Sequence, residues 1–211
     1  MPEPTDMLSL VRPRSASIIP ARTALVIIDV QKGTRAGKED GNPYFFRITH
    51  DVVIPNLVKL RSAARASGVE VIYTVIQSLT ADGRDRCLDY KLTGFHFPPG
   101  SEGAQMIDEL SPGPDELMLP KTSSSVFNST MLDYLLRNMG KDAIIVGGFL
   151  TDQCIDHAIR DGADRGYEMI CALDCCGTKT AGRHDAALAA FSSYCRQATT
   201  AELIAEMRPE G

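Results

Sequence analysis

The sequence predicts an α/β protein of three layers, a single parallel sheet with helices on both faces. Three observations predict it. Short apolar runs of strand length recur along the chain without polar alternation, which is the pattern of strands buried on both faces. Between them lie stretches with apolar residues at helical spacing, several closed by a glycine, so strand and helix alternate with right-handed crossovers. No composition shift, internal repeat or Gly/Ser linker divides the 211 residues, so we expect one domain over 23–211 behind an N-terminal extension over 1–22.

The elements follow in order. Thr23–Asp29 is a continuous apolar run ending in a carboxylate, the first strand. Asp51–Ser67 sets Val52, Val53, Leu57, Leu60, Ala63 and Ala64 at helical spacing, with Gly68 as its stop. Val69–Val75 reads as the second strand and Glu116–Leu119 as a short third. Asn128–Met139 is a helix stopped by Gly140, and Ala143–Gly147 the fourth strand. Asp152–Arg165 carries Cys154, Ile155, Ala158, Ile159 and Ala163 on one apolar stripe and is closed by Gly166. Tyr167–Leu173 is the fifth strand and Asp185–Cys195 a helix. Gln197–Thr199 is a candidate sixth strand before a last helix, Ala201–Met207. The long irregular stretch from Gln77 to about Gly103 reads as a lid, a subunit contact or a surface insertion.

Composition narrows the function. Hydrophobic residues make up 44% and charged residues 23%, the proportions of a soluble globular chain. A net charge of -5 leaves no basic surplus for nucleic acid or an anionic membrane. No apolar run is long enough to span a bilayer, and Pro2, Pro4, Arg12, Pro13 and Arg14 interrupt any signal-peptide core. The expectation is a cytoplasmic protein whose six cysteines stay reduced. His50, His96, His157 and His184 form no HxH, HExxH or DxH cluster, and Cys171, Cys175 and Cys176 lack CxxC spacing. No metal is expected, and without GxGxxG or a Walker lysine no nucleotide cofactor either.

In an open parallel sheet, ligands bind beyond the carboxyl ends of the strands. Asp29, Gln31 and Lys32 lie there after the first strand, Gln77 and Ser78 after the second, and Lys121 after the third. The fourth leads to Thr151, Asp152 and Cys154, and the fifth to Asp174. Cys154 falls in the first turn of its helix, where unpaired N–H groups and the macrodipole lower a thiol's pKa and favour a nucleophilic thiolate. The alternative is a buried helix cysteine. The preceding Gly147–Thr151 segment can bend so that its N–H groups form an oxyanion hole. A carboxylate ending an apolar strand, Asp29, should have a raised pKa unless paired, and can take the thiol proton. Lys121 is its natural partner, as an orienting cation or in a purely structural ion pair.

Ile27–Gln31, Leu119–Lys121 and Gly148–Cys154 resemble the signature blocks of the isochorismatase-like cysteine hydrolases, in the family's order and over about Thr23 to Met207. The resemblance implies a six-stranded sheet in the order 3-2-1-4-5-6, and a homodimer or homotetramer. It makes Asp29 the base, Lys121 the orienting cation and Cys154 the nucleophile. It also implies a cis peptide at Phe149–Leu150, with the N–H groups of Leu150 and Cys154 forming the oxyanion hole. Thr151 and Asp152 would hold this turn and cap the helix.

Within that family, nicotinamidases add an Asp/His metal cluster, yet Lys32 to His50 offers no DxH. Isochorismatases proper typically lack the cysteine that stands at 154. The amidohydrolase branch remains, similar to ureidoacrylate and N-carbamoylsarcosine amidohydrolases, acting on a small amide, ureido or carbamoyl compound through a thioester. A vinyl-ether or nicotinamide-type hydrolase on the same fold is the alternative. A non-catalytic scaffold and a redox protein using Cys175 and Cys176 are further rivals. Gln31, Gln77, Ser78, Ser125, Phe127 and Phe149 are the candidate substrate contacts. Arg35, Arg84 and Arg86 are candidates for holding a substrate carboxylate.

Overall fold

The computed structural model describes residues 17–34 and 41–207. Its strands are Thr23–Ile28 (β1), Glu70–Ile76 (β2), Leu117–Lys121 (β3), Ala143–Phe149 (β4), Glu168–Gly177 (β5) and Arg196–Ala198 (β6). All pair in parallel, in the order β3-β2-β1-β4-β5-β6. This is the predicted sheet. The helices are Pro43–Ile48 (α1), Ile54–Ser67 (α2), Leu88–Leu92 (α3), Val126–Ser129 (α4), Leu132–Asn138 (α5), Asp156–Asp164 (α6), Ala181–Ala190 (α7) and Thr200–Glu206 (α8). Among the described residues no helix is long and apolar enough to cross a membrane.

The strand period of two divides the core. Leu25 and Ile27 of β1 join Leu57, Leu60 and Ala64 of α2 and Leu203 of α8 on one face. Ala24, Val26 and Ile28 join Leu132 and Leu136 of α5, Ile159 of α6 and Ala187 of α7 on the other. All six β1 residues are buried, which is why the run shows no alternation. The strand order reverses between β1 and β4, and a crevice opens beyond their carboxyl ends at such a point.

Several boundaries differ from the expectation. The helix expected from Asp51 is preceded by a wide π-type turn, Thr49–Val53, and by α1. Asn42 starts α1 by accepting a hydrogen bond from the Phe45 N–H. The single helix expected over Asn128–Met139 is two, α4 and α5, because Thr130 between them is extended. Its hydroxyl donates to the Val126 carbonyl and accepts from the Leu132 N–H, a local alternative to helix bonding. β5 runs on to Gly177, with an irregularity opposite Val146–Gly148 of β4. The helix α7 begins and ends earlier than Asp185–Cys195, capped by the Thr180 side chain. Of the expected N-terminal extension, 1–16 lie outside the described residues, and Pro20–Arg22 form a 3-10 turn into β1.

The stretch from Gln77 to Gly103 folds back over the carboxyl end of the sheet. Arg86 ties it together, donating to the Gly83 and Phe95 carbonyls at 3.0 and 2.9 Å. Ser78 N–H donates to the Phe97 carbonyl, Cys87 N–H to that of Thr122, and Gly33 N–H to that of Gly103. Tyr90 of α3 is buried beneath it.

Candidate active site

Asp29 follows the last residue of β1 with φ 57°, and among the described residues no other non-glycine has a positive φ. Asp tolerates this left-handed conformation better than most side chains. Neighbours hold it there: its N–H donates to the Thr74 carbonyl, and its carbonyl accepts from the Thr34 hydroxyl. Strain fixed by surroundings is typical of functional positions. The side chain points into a buried cluster, where Oδ1 accepts from the Thr74 hydroxyl at 2.7 Å.

Lys121, the last residue of β3, is completely buried. Its Nζ lies 2.8 Å from Asp29 Oδ2 and 3.3 Å from Cys154 Sγ, and it donates to the Ser123 carbonyl at 2.9 Å. The ammonium therefore sits between the carboxylate and the thiol. Burial pulls its pKa down, but Asp29, Cys154 and Tyr90 more than offset that and hold it above the ordinary lysine range.

Cys154 reaches the cluster from the far side of the sheet reversal. After β4 the chain turns through Phe149–Leu150, whose peptide bond is cis, into a π-type turn, Thr151–Ile155, and then α6. Gly148 makes the approach possible. It has φ 131°, and a Cβ there would lie 2.0 Å from the Ile28 carbonyl oxygen. The Leu150 carbonyl accepts from Gln153 and Ile155, the residues flanking Cys154.

The thiol's expected low pKa is not what the structure gives. Burial first, and then the charge of Asp29, push the Cys154 thiol up to about 12 despite Lys121. One cation faces two acids in a buried site. The carboxylate is intrinsically the stronger acid and takes the single compensating charge, leaving the thiol protonated.

Thr151 and Asp152 hold this turn as expected but do not cap the helix. Leu150 starts the turn with no side-chain cap. Thr151 instead hydrogen-bonds His184 Nδ1 at 2.9 Å. Asp152 accepts from the Thr178 hydroxyl and pairs with Arg183. Both tie the cysteine's turn sideways to the start of α7 rather than along its own helix.

A cavity opens above the cluster, with Asp29, Cys154 and Leu150 among its lining. Phe45, Ile76, Tyr90, Phe95 and Phe149 form its apolar walls. Of the candidate substrate contacts, Phe149 alone lines it. Gln31 is fully buried and holds β2: Nε2 donates to the Ile76 and Gly103 carbonyls, and Oε1 accepts from the Ile76 N–H. Ser125 starts α4, accepts from the Asn128 N–H and donates to the Asp161 carboxylate. Phe127 stacks on Tyr167 in the core, 5.8 Å between centroids. Ser78 donates to the Thr80 carbonyl and hydrogen-bonds His96, while the Gln77 N–H donates to the Lys121 carbonyl. None of these five residues is in the lining of the cavity.

Arg84 is exposed and pairs with Asp82, Arg86 is tied to backbone carbonyls, and Arg35 lies outside the described residues. Sequence reasoning missed Tyr90. It is buried, its pKa is raised by burial, and it senses the charges of Lys121, Cys154 and Asp29. The signal available was a lone tyrosine in an irregular loop, which carries no periodicity.

The family model described as the Isochorismatase domain matches residues 23–203. The chain belongs to the isochorismatase family. This isochorismatase-family hydrolase is 31% identical over 169 residues to the ureidoacrylate amidohydrolase RutB of Pantoea ananatis (strain LMG 20103), covering 72% of this chain and 67% of that protein. It is 30% identical over 166 residues to the N-carbamoylsarcosine amidase of Arthrobacter sp, covering 76% of this chain and 61% of that one. Among solved structures it is similar to a cysteine hydrolase from Pseudomonas syringae pv. phaseolicola 1448A. The TM-score is 0.83 at 26% identity, covering 93% of this chain and 97% of the other.

Proposed function

We propose that this isochorismatase-family hydrolase cleaves a carbon–nitrogen bond of a small amide, ureido or carbamoyl substrate through a thioester on Cys154. The observation that carries the reading is the contact of one buried cation, Lys121, with both the Asp29 carboxylate and the Cys154 thiol. The similarity to two amidohydrolases supports the choice of bond.

Because the thiol rests protonated, attack and proton transfer must be coupled. Sγ adds to the substrate carbonyl carbon while its proton passes to Asp29. The N–H groups of Leu150 and Cys154 hold the developing oxyanion, and one such donor is worth about 100- to 1000-fold in rate. The tetrahedral intermediate collapses, the C–N bond breaks, and Asp29 returns the proton to the departing ammonia or amine. Water then adds to the thioester while Asp29 takes its proton. The C–S bond breaks, the thiol regains that proton, and the acid leaves. Throughout, Lys121 offsets the negative charge that moves between oxygen and sulfur.

An ammonia-release screen over ureido acids, carbamoyl amino acids, maleamate and nicotinamide tests this, with acid-quenched samples analysed by mass spectrometry. The expected result is ammonia release with an acyl mass on the Cys154 peptide. An acyl mass on another residue, or turnover of isochorismate to pyruvate without amide turnover, contradicts it.

A further inference from the structure

Two neighbouring residues of the cysteine's turn are held from outside it. Thr151 opens the turn Thr151–Ile155, directly after Leu150, and is completely buried. Its hydroxyl meets His184 Nδ1 at 2.9 Å. Asp152 accepts from the Thr178 hydroxyl and pairs with Arg183. These partners lie on one short stretch, from the end of β5 into the first turn of α7, and that stretch is itself fixed. Its Lys179 carbonyl accepts from Asn42 Nδ2 at 3.0 Å. The His184 N–H donates to the Thr180 carbonyl at 3.2 Å, and Ala187, further along α7, is packed in the core. The two links are unequal. The Arg183 side chain is 48% exposed, and an ion pair open to water contributes little and is screened by salt. The Thr151 hydroxyl has left water completely, so losing its partner costs the desolvation of a buried polar group. Burial of the ring, opposed by Asp185 and Asp152, holds the His184 pKa below its ordinary range, so the imidazole is neutral at pH 7. Among the described residues, neither Thr151 nor His184 lines the cavity, so neither is placed to bind substrate.

We infer that His184 is a positioning residue: through the Thr151 hydroxyl it fixes the turn that carries the Cys154 sulfur and the Leu150 N–H. The inference rests on the proposed thioester mechanism and adds a residue to it. Attack needs the sulfur and the oxyanion donor aligned on one carbonyl at once, and a misplacement of about 1 Å costs about 100-fold in rate. Without the contact the turn keeps its path but samples more than one arrangement. Turnover then falls while substrate still enters the same cavity, and the thiol becomes easier to reach from outside.

Full-length variants test it. His184→Leu removes the ring nitrogen at similar bulk, His184→Asn puts an amide where Nδ1 stood, and Thr151→Val removes the hydroxyl from the other side. With folding verified by circular dichroism, ammonia release from a compound of the preceding screen gives kcat and KM. The expected result is a kcat lower by about tenfold or more in His184→Leu and in Thr151→Val, with KM within about twofold of wild type. The double variant His184→Leu/Thr151→Val should be no worse than either single one, because both remove the same contact. His184→Asn should keep most of the wild-type kcat. Unchanged kcat in His184→Leu, losses that multiply in the double variant, or a His184→Asn protein no better than His184→Leu overturns the inference. Should His184→Leu not fold, Thr151→Val set against Thr151→Ser is read in its place. Labelling of the Cys154 peptide by iodoacetamide, followed in parallel by mass spectrometry, needs no substrate. It should be severalfold faster in His184→Leu than in wild type or His184→Asn, and equal rates overturn the inference. If no compound of the screen releases ammonia, the proposed function fails by that result alone, and the labelling decides the role of His184.

Discussion

Lys121 Nζ stands 2.8 Å from Asp29 Oδ2 and 3.3 Å from Cys154 Sγ, so one buried ammonium serves two acids. Whichever acid is ionised gains the cation, and the other is left facing an anion in a buried site. In the proposed mechanism, the proton that separates the two states is the one that moves during attack by sulfur, and the Asp29–Cys154 pair is a proton relay with Lys121 as its fixed counter-charge.

Removing the carboxylate should therefore damage the fold as well as activity. Asp29→Asn leaves Lys121 buried without an anion, and breaking a buried pair costs about 3–5 kcal/mol. Urea unfolding should show that loss, and the double variant Asp29→Asn/Lys121→Met should recover much of it. An Asp29→Asn protein as stable as wild type would contradict the pairing.

The thiol gives a pH dependence with a definite sign. Its ordinary pKa of 9.0 is raised to about 12 in the folded chain. An acid whose folded pKa lies above its unfolded one stabilises the fold in its neutral form. That stabilisation is complete below about pH 9 and is lost as pH climbs towards about 12. Melting temperatures measured across this range should fall more steeply for wild type than for Cys154→Ala. Iodoacetamide should likewise label Cys154 slowly at pH 7 and faster as pH rises. Rapid labelling at pH 6 would mean a resting thiolate and contradict the relay.

Gly148 tests the geometry of the approach. With φ at 131° and only 2.0 Å between the position of an added Cβ and the Ile28 carbonyl oxygen, there is no room for a side chain. Gly148→Ala should cost roughly 3 kcal/mol, from overpacking against backbone together with strain. Chemical denaturation measures it, and a neutral substitution would show that β1 and β4 can separate.

Tyr90 tests the covering loop. Tyr90→Phe keeps the ring against Phe95 and removes a buried hydroxyl from the lining of the cavity. Stability should change little, while kcat/KM falls about tenfold, the scale of one polar contact between the phenol and a substrate in the cavity. Unchanged kinetics would leave the phenol a packing group.

Much of this architecture could be read from residue order. Continuous apolar runs located the strands, and the residues just past them placed Asp29, Lys121 and Cys154 at one rim. What escaped was direction. Gln31 and Ser125 stand beside the rim in sequence, yet their side chains turn to backbone and to Asp161. Phe45, Tyr90 and Phe95 come from segments whose burial is set by tertiary packing, which leaves no period to detect. The thiol's pKa escaped for a related reason: a helix start favours a thiolate, but burial beside Asp29 outweighs it. Neither burial nor that neighbour is visible from the position of Cys154 along the chain.

Everything proposed for this site depends on the sulfur of Cys154 forming the bond to substrate. The rate of ammonia release by Cys154→Ala, on a substrate that wild type turns over and with folding verified by circular dichroism, tests that dependence. The expected result is a folded protein with turnover reduced to near background. A folded variant that keeps a substantial fraction of wild-type turnover would contradict it.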